Sequence, residues 1–387
     1  MRVLIVGAGL AGMSLYRLLR QDGHEVRLAD RAPRFDRRGY GIVLWSNAWQ
    51  VLERAGAAES AAAAGVAVHH WEVRDADGRR LRSFSPQRTW ADPSVGSAAR
   101  RPFTVIHRAD LHEALREGVP AEAVRLDTTL RDVRQDATGV TVTWSDGEKE
   151  RADVLVGADG VHSQVREIVF GRSSRDLGTA AWAFWVPTTV DMTDGFTELW
   201  GKDGKAVLIG GITGHRMATV AAPSPPGLIP DNPLGHLREI TNEWGLSDIL
   251  RAVAAEGGDV FFDRNREVRL SGFDAGRVVL VGDAAHALHP IVGMGASLAL
   301  EDAWVLADQL RGGLTPDASH SELAGFTRRR RAPIRRFMRE AALMQRLILT
   351  GNPLVGALRN ALVRTPILER FFAQQNATLS RDLAERL

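Results

Sequence analysis

The first thirty residues constrain the fold more than any other stretch. Arg2 to Val6 (RVLIV) is a short apolar run rich in β-branched residues, and Gly7-Ala8-Gly9-Leu10-Ala11-Gly12 follows at once. Met13 to Gln21 continues with helical spacing, and Leu15, Leu18 and Leu19 make one apolar face. A second apolar run, Val26 to Ala29, ends on Asp30. Strand, glycine turn, helix, strand and acid is the order of a dinucleotide-binding unit. Gly7 turns the chain out of the strand, Gly9 leaves the backbone open to a pyrophosphate, and Gly12 lets the helix pack on the sheet. The helix N–H groups, with Leu10 and Ala11 in the first turn, face the phosphates, and the Asp30 carboxylate accepts from a ribose diol. The pattern does not separate NAD from FAD.

The remaining sequence shows similar geometry twice more. Asp153 to Asp159 (DVLVGAD), followed by Gly160, is a buried strand that breaks at glycine and starts a helix at Ser163. Arg277 to Asp283 (RVVLVGD) is another, and the loop after it, Gly293-Met294-Gly295-Ala296-Ser297, opens a helix at about Ala296. A carboxylate at a strand's C-terminal end lies where open α/β sheets bind ligands. Between these motifs the pattern changes. His69 to Val73 and Leu81 to Phe84 alternate around Asp77-Gly78, a hairpin signal. Residues 85–102 read as loop, and residues 178–222 as further alternating strands. Ser46-Asn47 and Asp110 read as helix caps.

Composition bounds the partners. Of 387 residues, 49 are basic and 47 acidic, a net charge of +2, so nothing global points to nucleic acid. With no cysteine there is no disulfide, thiolate metal site or cysteine nucleophile, and no metal site is expected. The chain begins directly with a strand and has no apolar run near twenty residues. A cytoplasmic protein without an integral membrane segment, monomer or homodimer, is expected. The arginine-rich stretch from Arg328 to Arg339 reads as a solvated helix face, because acids are interspersed.

The three motifs, in this order and spacing, resemble the single-component FAD-dependent aromatic hydroxylases typified by para-hydroxybenzoate and salicylate hydroxylases. The resemblance covers roughly residues 1–340 and extends to Gly41 to Asn47 (GIVLWSN) and His107 to Leu111 (HRADL). It implies an α/β fold: a Rossmann-like FAD-binding domain (1–73, 104–177 and 271–315), an inserted mixed β-sheet substrate domain (74–103 and 178–270) and C-terminal helices (316–387). FAD is the implied cofactor and NAD(P)H the co-substrate, with no second Rossmann unit. Asp30 and Arg31 would serve the adenosine end, and Arg108 and Asp283 the ribityl and phosphate region. The Asp159-Gly160 pair would serve both FAD and NAD(P)H. Backbone N–H groups from Gly293 to Ser297 would face phosphate and isoalloxazine, and Val43 and Leu130 complete the set. Ser297 departs from the asparagine that many relatives carry there.

The implied chemistry is reduction of FAD by NAD(P)H, addition of O2 at C4a, and transfer of the distal oxygen of that hydroperoxide to a nucleophilic carbon of an aromatic substrate. His289 is the candidate acid–base group, Pro290 shapes the loop beside the flavin, and His286 takes a structural part. Trp182, Phe184 and Trp200 are the candidate substrate walls, with Trp182 and Phe184 on one strand face and Trp185 on the other. No arginine clamp for a carboxylate stands out, which favours a larger or less charged aromatic, polycyclic or indolic. An epoxidase, a geranylgeranyl-type reductase and a non-catalytic flavin-binding partner are the other readings of the same motifs.

Overall fold

The structure is a computed structural model. It describes every residue except 36, 38, 87–100, 102, 188–194, 213, 243, 245, 314–318, 382 and 384–387, and for residues 212 and 319–322 the backbone alone. The expected loop at 85–102 falls for its greater part outside the described residues.

The strands of the three glycine-acid motifs lie side by side. Arg2–Val6 pairs in parallel with Glu25–Ala29 on one side and Val154–Gly157 on the other, and Val154–Gly157 pairs in parallel with Val278–Leu280. The registers Val6↔Gly157 and Gly157↔Leu280 bring three carboxyl ends to one edge. These strands are continuous apolar runs because both faces of the sheet are covered. Val3, Ile5, Val154, Leu155 and Val278 are fully buried, each contributing about 1.5–3 kcal/mol of apolar burial. Short edge strands, Val124–Arg125 and Asp274–Ala275, complete a six-stranded sheet.

A second, seven-stranded sheet joins Trp71–Asp75 and Arg80–Phe84 to Arg175–Val186, Phe196–Trp200, Ala206–Ile212, His215–Pro223 and Val260–Glu267. It is antiparallel except where Phe196–Trp200 runs parallel to Trp71–Asp75. Pro233–Ile240 and Ser247–Ala255 cover its outer face. A small sheet of Gly41–Leu44, Thr104–His107 and Val66–Ala67 lies between the two large ones, and an antiparallel sheet spans Leu130–Ala152. The long helix Ser319–Ile348 then leads into Pro353–Val363 and Ile367–Ser380.

Two caps differ from expectation. The helix at 108 is capped by His107, whose Nδ1 accepts from Ala109 N–H at 3.0 Å, and Asp110 lies inside the first turn. The helix Ser46–Arg54 begins at Ser46 itself, after Trp45. No helix among the described residues is long and apolar enough to cross a membrane.

Candidate functional site

The first strand ends in a turn that only glycine permits. Gly7 has φ +106°, and a Cβ there would lie 2.3 Å from the Ala158 carbonyl oxygen, so the first and second motifs touch backbone to backbone. A Cβ on Gly12 would lie 1.9 Å from the Gly7 oxygen, which fixes the helix Leu10–Gln21 on the turn. Over Gly9 the space is open for 4 Å, and no side chain caps this helix. Asp30 is held beside the turn, its Oδ2 accepting from Ala8 N–H at 2.7 Å and its Oδ1 from Ala32 N–H at 2.9 Å. Arg31 is exposed next to it.

Asp159 lies against the start of the helix Gln164–Phe170, which Ser163 caps by accepting from Arg166 N–H at 2.9 Å. The Asp159 Oδ2 accepts from Gln164 N–H at 2.7 Å and Val165 N–H at 3.2 Å, while its buried Oδ1 has no partner. Burial raises its pKa. Gly160 follows with φ +78°. Leu130 is buried, and its N–H donates to the Gln164 side chain at 3.3 Å.

Asp283 is open to solvent yet surrounded by protein, as at the floor of a cleft. Enclosure raises its pKa, while His286 and Arg108 act to lower it. Arg108 is exposed, with its stem against the Gly39 turn. The 293–297 loop is braced from the small sheet. Gly293 packs on Val43, Trp45 Nε1 donates to the Gly293 oxygen at 3.2 Å, and Trp45 N–H donates to Ser297 Oγ at 3.2 Å. Ser297 is wholly buried, its side chain turned toward residues 43–45 and its carbonyl oxygen accepting from Asn47 Nδ2 at 3.3 Å. The helix Gly295–Leu310, reached through Met294 and carrying Ala296 in its first turn, also begins without a side-chain cap.

Two uncapped helix starts, open space over Gly9, an unpartnered Asp159 oxygen and the Asp30 and Asp283 carboxylates beyond the carboxyl ends of one sheet suit FAD. The helix starts match a diphosphate, and the carboxylates match ribose and ribityl hydroxyls.

Behind the cleft lies a buried ionic network. Asp302 Oδ2 accepts from Gly282 N–H at 2.8 Å and lies 2.5 Å from His286 Nε2, and Asp302 Oδ1 accepts from Arg330 Nε at 2.6 Å. Arg330 also binds Glu301, which accepts from Asn47 Nδ2 at 2.6 Å. The basic run hid Arg330. Its signal is the spacing of the buried Leu323, Phe326, Ile334 and Phe337, a helical stripe into which position 330 falls.

Strand alternation separates the expected substrate walls. Trp182 and Phe184 share a face with Val207, Ile209, Ala218 and Val220, and that face packs on Leu237, Leu246 and Leu250 of the outer helices. Both residues thus stand away from the cleft, contrary to expectation. The opposite face carries Phe196, Glu198, Trp200, Met217 and Thr219. Trp200 and Glu198 line a narrow slot with Trp45, Ile291, Val292, Met294, Phe337 and Phe372, between the 290–294 loop and the C-terminal helices. A larger cavity of about 560 Å³, walled by Val66, His70, Phe196, Gly211 and His215, touches no residue of that loop.

His289 is buried and fully engaged. Its Nδ1 accepts from Ile291 N–H at 3.2 Å, and its Nε2 lies 3.1 Å from Thr179 Oγ1 and 3.2 Å from Asn265 Nδ2. Burial lowers its pKa to about 4. Pro290 beside it is exposed.

The sequence profile of a family described as FAD binding domain matches residues 1–341. The chain is 34% identical over 318 residues to 3-amino-4-hydroxybenzoate 2-monooxygenase of Streptomyces cremeus, covering 79% of this chain and 77% of that protein. It is 30% identical to 2-heptyl-3-hydroxy-4(1H)-quinolone synthase of Pseudomonas aeruginosa, over 94% of each chain. The crystal structure of Klebsiella pneumoniae HpxO complexed with FAD and uric acid superposes with a TM-score of 0.86 at 23% identity, covering 99% of this chain and 98% of that one.

Proposed function

The chain belongs to the FAD binding domain family and is a flavin-dependent aromatic monooxygenase, and from that premise we propose that its substrate is an uncharged, fused-ring arene hydroxylated at the expense of NAD(P)H and O2. In the balanced reaction a ring C–H becomes C–OH, one oxygen atom enters the product, the other leaves as water, and NAD(P)H supplies two electrons. Bound FAD supplies the redox chemistry. The protein binds, orients and keeps water out. Gly7 to Gly12, Asp30, Arg31, Asp159, Gly160, Arg108, Asp283 and the 293–297 backbone hold the cofactor, with Val43 and Leu130 as packing. The seven-stranded sheet serves as substrate domain.

The observation that carries this reading is the lining of the slot. Its walls are mostly tryptophan, phenylalanine, methionine and aliphatic side chains, its polar groups are Glu198, Glu340 and Gln375, and among the described residues no lysine or arginine lines it. A carboxylate would be desolvated there without a cation. The quinolone-named relative, which aligns over almost the full chain, fits such a slot better than the hydroxybenzoate-named one. The free room is about 20 Å³, about one water molecule, so a ring enters by displacing wall side chains. His289 acts here as a positioning residue that sets the turn at Pro290.

The test is NAD(P)H oxidation by the FAD-loaded protein with 4-hydroxyquinoline, 1-naphthol, indole and 3-amino-4-hydroxybenzoate, with peroxide and oxygenated product quantified together. Product matching NAD(P)H consumed, for a neutral fused ring, is the expected result. Preference for the carboxylated ring overturns the substrate class.

A further inference from the structure

Two carboxyl groups line the slot, and their surroundings differ. Glu340, on the long helix, is paired with Arg336 at 2.8 Å and bonded by Gln375. Glu198, on the sheet, has no ion pair among the described residues. Its Oε2 accepts from Trp200 Nε1 at 2.6 Å. Trp71 Nε1, which has no hydrogen-bond partner of its own, is the other indole that favours the carboxylate. Arg359 stands over the Trp200 ring at 5.4 Å, but its donors go to the carbonyls of Leu347, Ile348 and Gly201 and to the Asn360 side chain. From the 290–294 loop the slot receives only Ile291, Val292 and Met294. Glu198 is thus a carboxyl in a mostly aromatic slot, oriented by an indole and, among the described residues, paired with no cation.

Building on the monooxygenase reading above, we propose that Glu198 takes the proton from a ring hydroxyl or ring N–H of the arene bound in this slot. The substrate class narrows accordingly to arenes bearing such an acidic hydrogen, a hydroxyarene or a ring-N–H heteroarene. In this step the O–H or N–H bond breaks, its electron pair stays on the arene, and the carboxylate becomes a carboxyl. The anionic ring is the better nucleophile toward electrophilic oxygen. The proton passes to water after product leaves, which restores the carboxylate. Burial, acting against the two indoles, pushes the Glu198 pKa up to about 7, which poises the group for transfer near neutral pH.

The experiment compares wild type with Glu198→Gln, using whichever ring of the panel above has the highest kcat/KM, together with its O- or N-methyl derivative. Wild-type kcat/KM rises with pH to a plateau above about 7. Glu198→Gln loses on the order of 100-fold or more at neutral pH, keeps its FAD content, and recovers only as pH approaches the arene's own pKa. The methyl derivative is not turned over by either. A substrate-free readout accompanies it: the pH-difference infrared spectrum of the FAD-loaded wild type carries a carboxyl band with a midpoint near neutral pH, absent in Glu198→Gln. Trp200→Phe removes the indole donor without touching the carboxyl and moves the midpoint upward.

An unchanged rate and pH profile in Glu198→Gln overturns the assignment and leaves the monooxygenase reading intact. A rate lost equally at every pH also overturns it, since that marks positioning alone. If no ring of the panel drives NAD(P)H oxidation in wild type, the substrate reading fails and the assignment falls with it. If Glu198→Gln does not retain FAD, the Trp200→Phe midpoint decides: an upward shift supports Glu198, and no shift overturns it.

Discussion

Arg166 donates from Nη1 to the Ala284 carbonyl oxygen at 3.0 Å, across 118 residues of chain. This bond ties the helix that follows Asp159-Gly160 to the turn that carries Asp283. The same guanidinium donates to Val161 O at 2.7 Å and Arg172 O at 3.1 Å, and the side chain is fully buried. Two of the three cofactor motifs therefore share one buried cation.

Arg166→Met should strand three carbonyls, each costing about 1–3 kcal/mol if left unpaired. The expected result is a fall in apo stability of about 3 kcal/mol or more and a larger loss in FAD affinity. Thermal unfolding with and without FAD measures both. Arg166→Lys should recover little, because an ammonium cannot span the three acceptors.

The Asp302 network should show in acid unfolding. Burial raises the Asp302 pKa, but His286 and Arg330 outweigh it and bring it to about 2. A folded pKa below the ordinary carboxylate value means stability fully present above pH ~4 and lost as pH falls toward 2. The loss is on the order of 2 kcal/mol. Asp302→Asn should remove this pH dependence and destabilise at neutral pH by about 3–5 kcal/mol, since the buried Arg330 loses one of its two carboxylate partners and keeps only Glu301. Urea midpoints from pH 2 to 7 for both proteins test the sign.

Gly12→Ala should yield a protein without flavin. The added methyl would sit 1.9 Å from the Gly7 oxygen, and backbone cannot yield that distance without moving the turn. Absorbance of bound flavin after purification, beside far-UV circular dichroism, separates loss of the site from loss of the fold.

The cofactor end of the site was legible because it is local. Gly7 to Gly12 and Asp30 lie within one strand–turn–helix–strand unit, and continuous apolar runs announce the strands that Asp159 and Asp283 follow. What was not legible depends on which face a strand turns inward and which distant element meets it. Trp182 and Trp200 look alike in sequence, yet registry puts one against the outer helices and the other in the slot. Glu198 has no signal in the sequence, because a single acid between Thr197 and Leu199 on a strand carries no pattern of its own. Arg330 sat inside a run of four arginines, and only the apolar residues spaced around it along the helix show it turning inward. Ser297 faces residues 43–45 because of a contact 252 residues away in the chain.

That registry yields a paired prediction. Trp182 is fully buried in the outer core, so Trp182→Ala should cost about 3–5 kcal/mol of stability while leaving KM for the arene unchanged. Phe372→Leu, in the slot wall, should change KM and ring preference at small cost in stability. Urea midpoints and KM across the panel place the two variants on opposite axes. A KM effect confined to Trp182→Ala would move the substrate to the other face of the sheet.

His289 supplies the last test, because its chemistry and its position predict different pH profiles. An acid–base histidine would titrate near neutrality and impose its pKa on kcat/KM. In the structure Nδ1 is occupied by Ile291 N–H, Nε2 faces Thr179, and burial lowers the pKa to about 4. Between pH ~6.5 and ~4 the unfolded chain binds the proton and the folded one does not, so stability falls as pH drops through that window. The loss is on the order of 3 kcal/mol. His289→Gln, which cannot titrate, should flatten that slope in urea midpoints. It should also lower kcat by disturbing the Pro290 turn, with the pH profile of kcat/KM above pH 6 unchanged in shape. A lost or shifted limb above pH 6 would return the acid–base role to His289 and take it from Glu198.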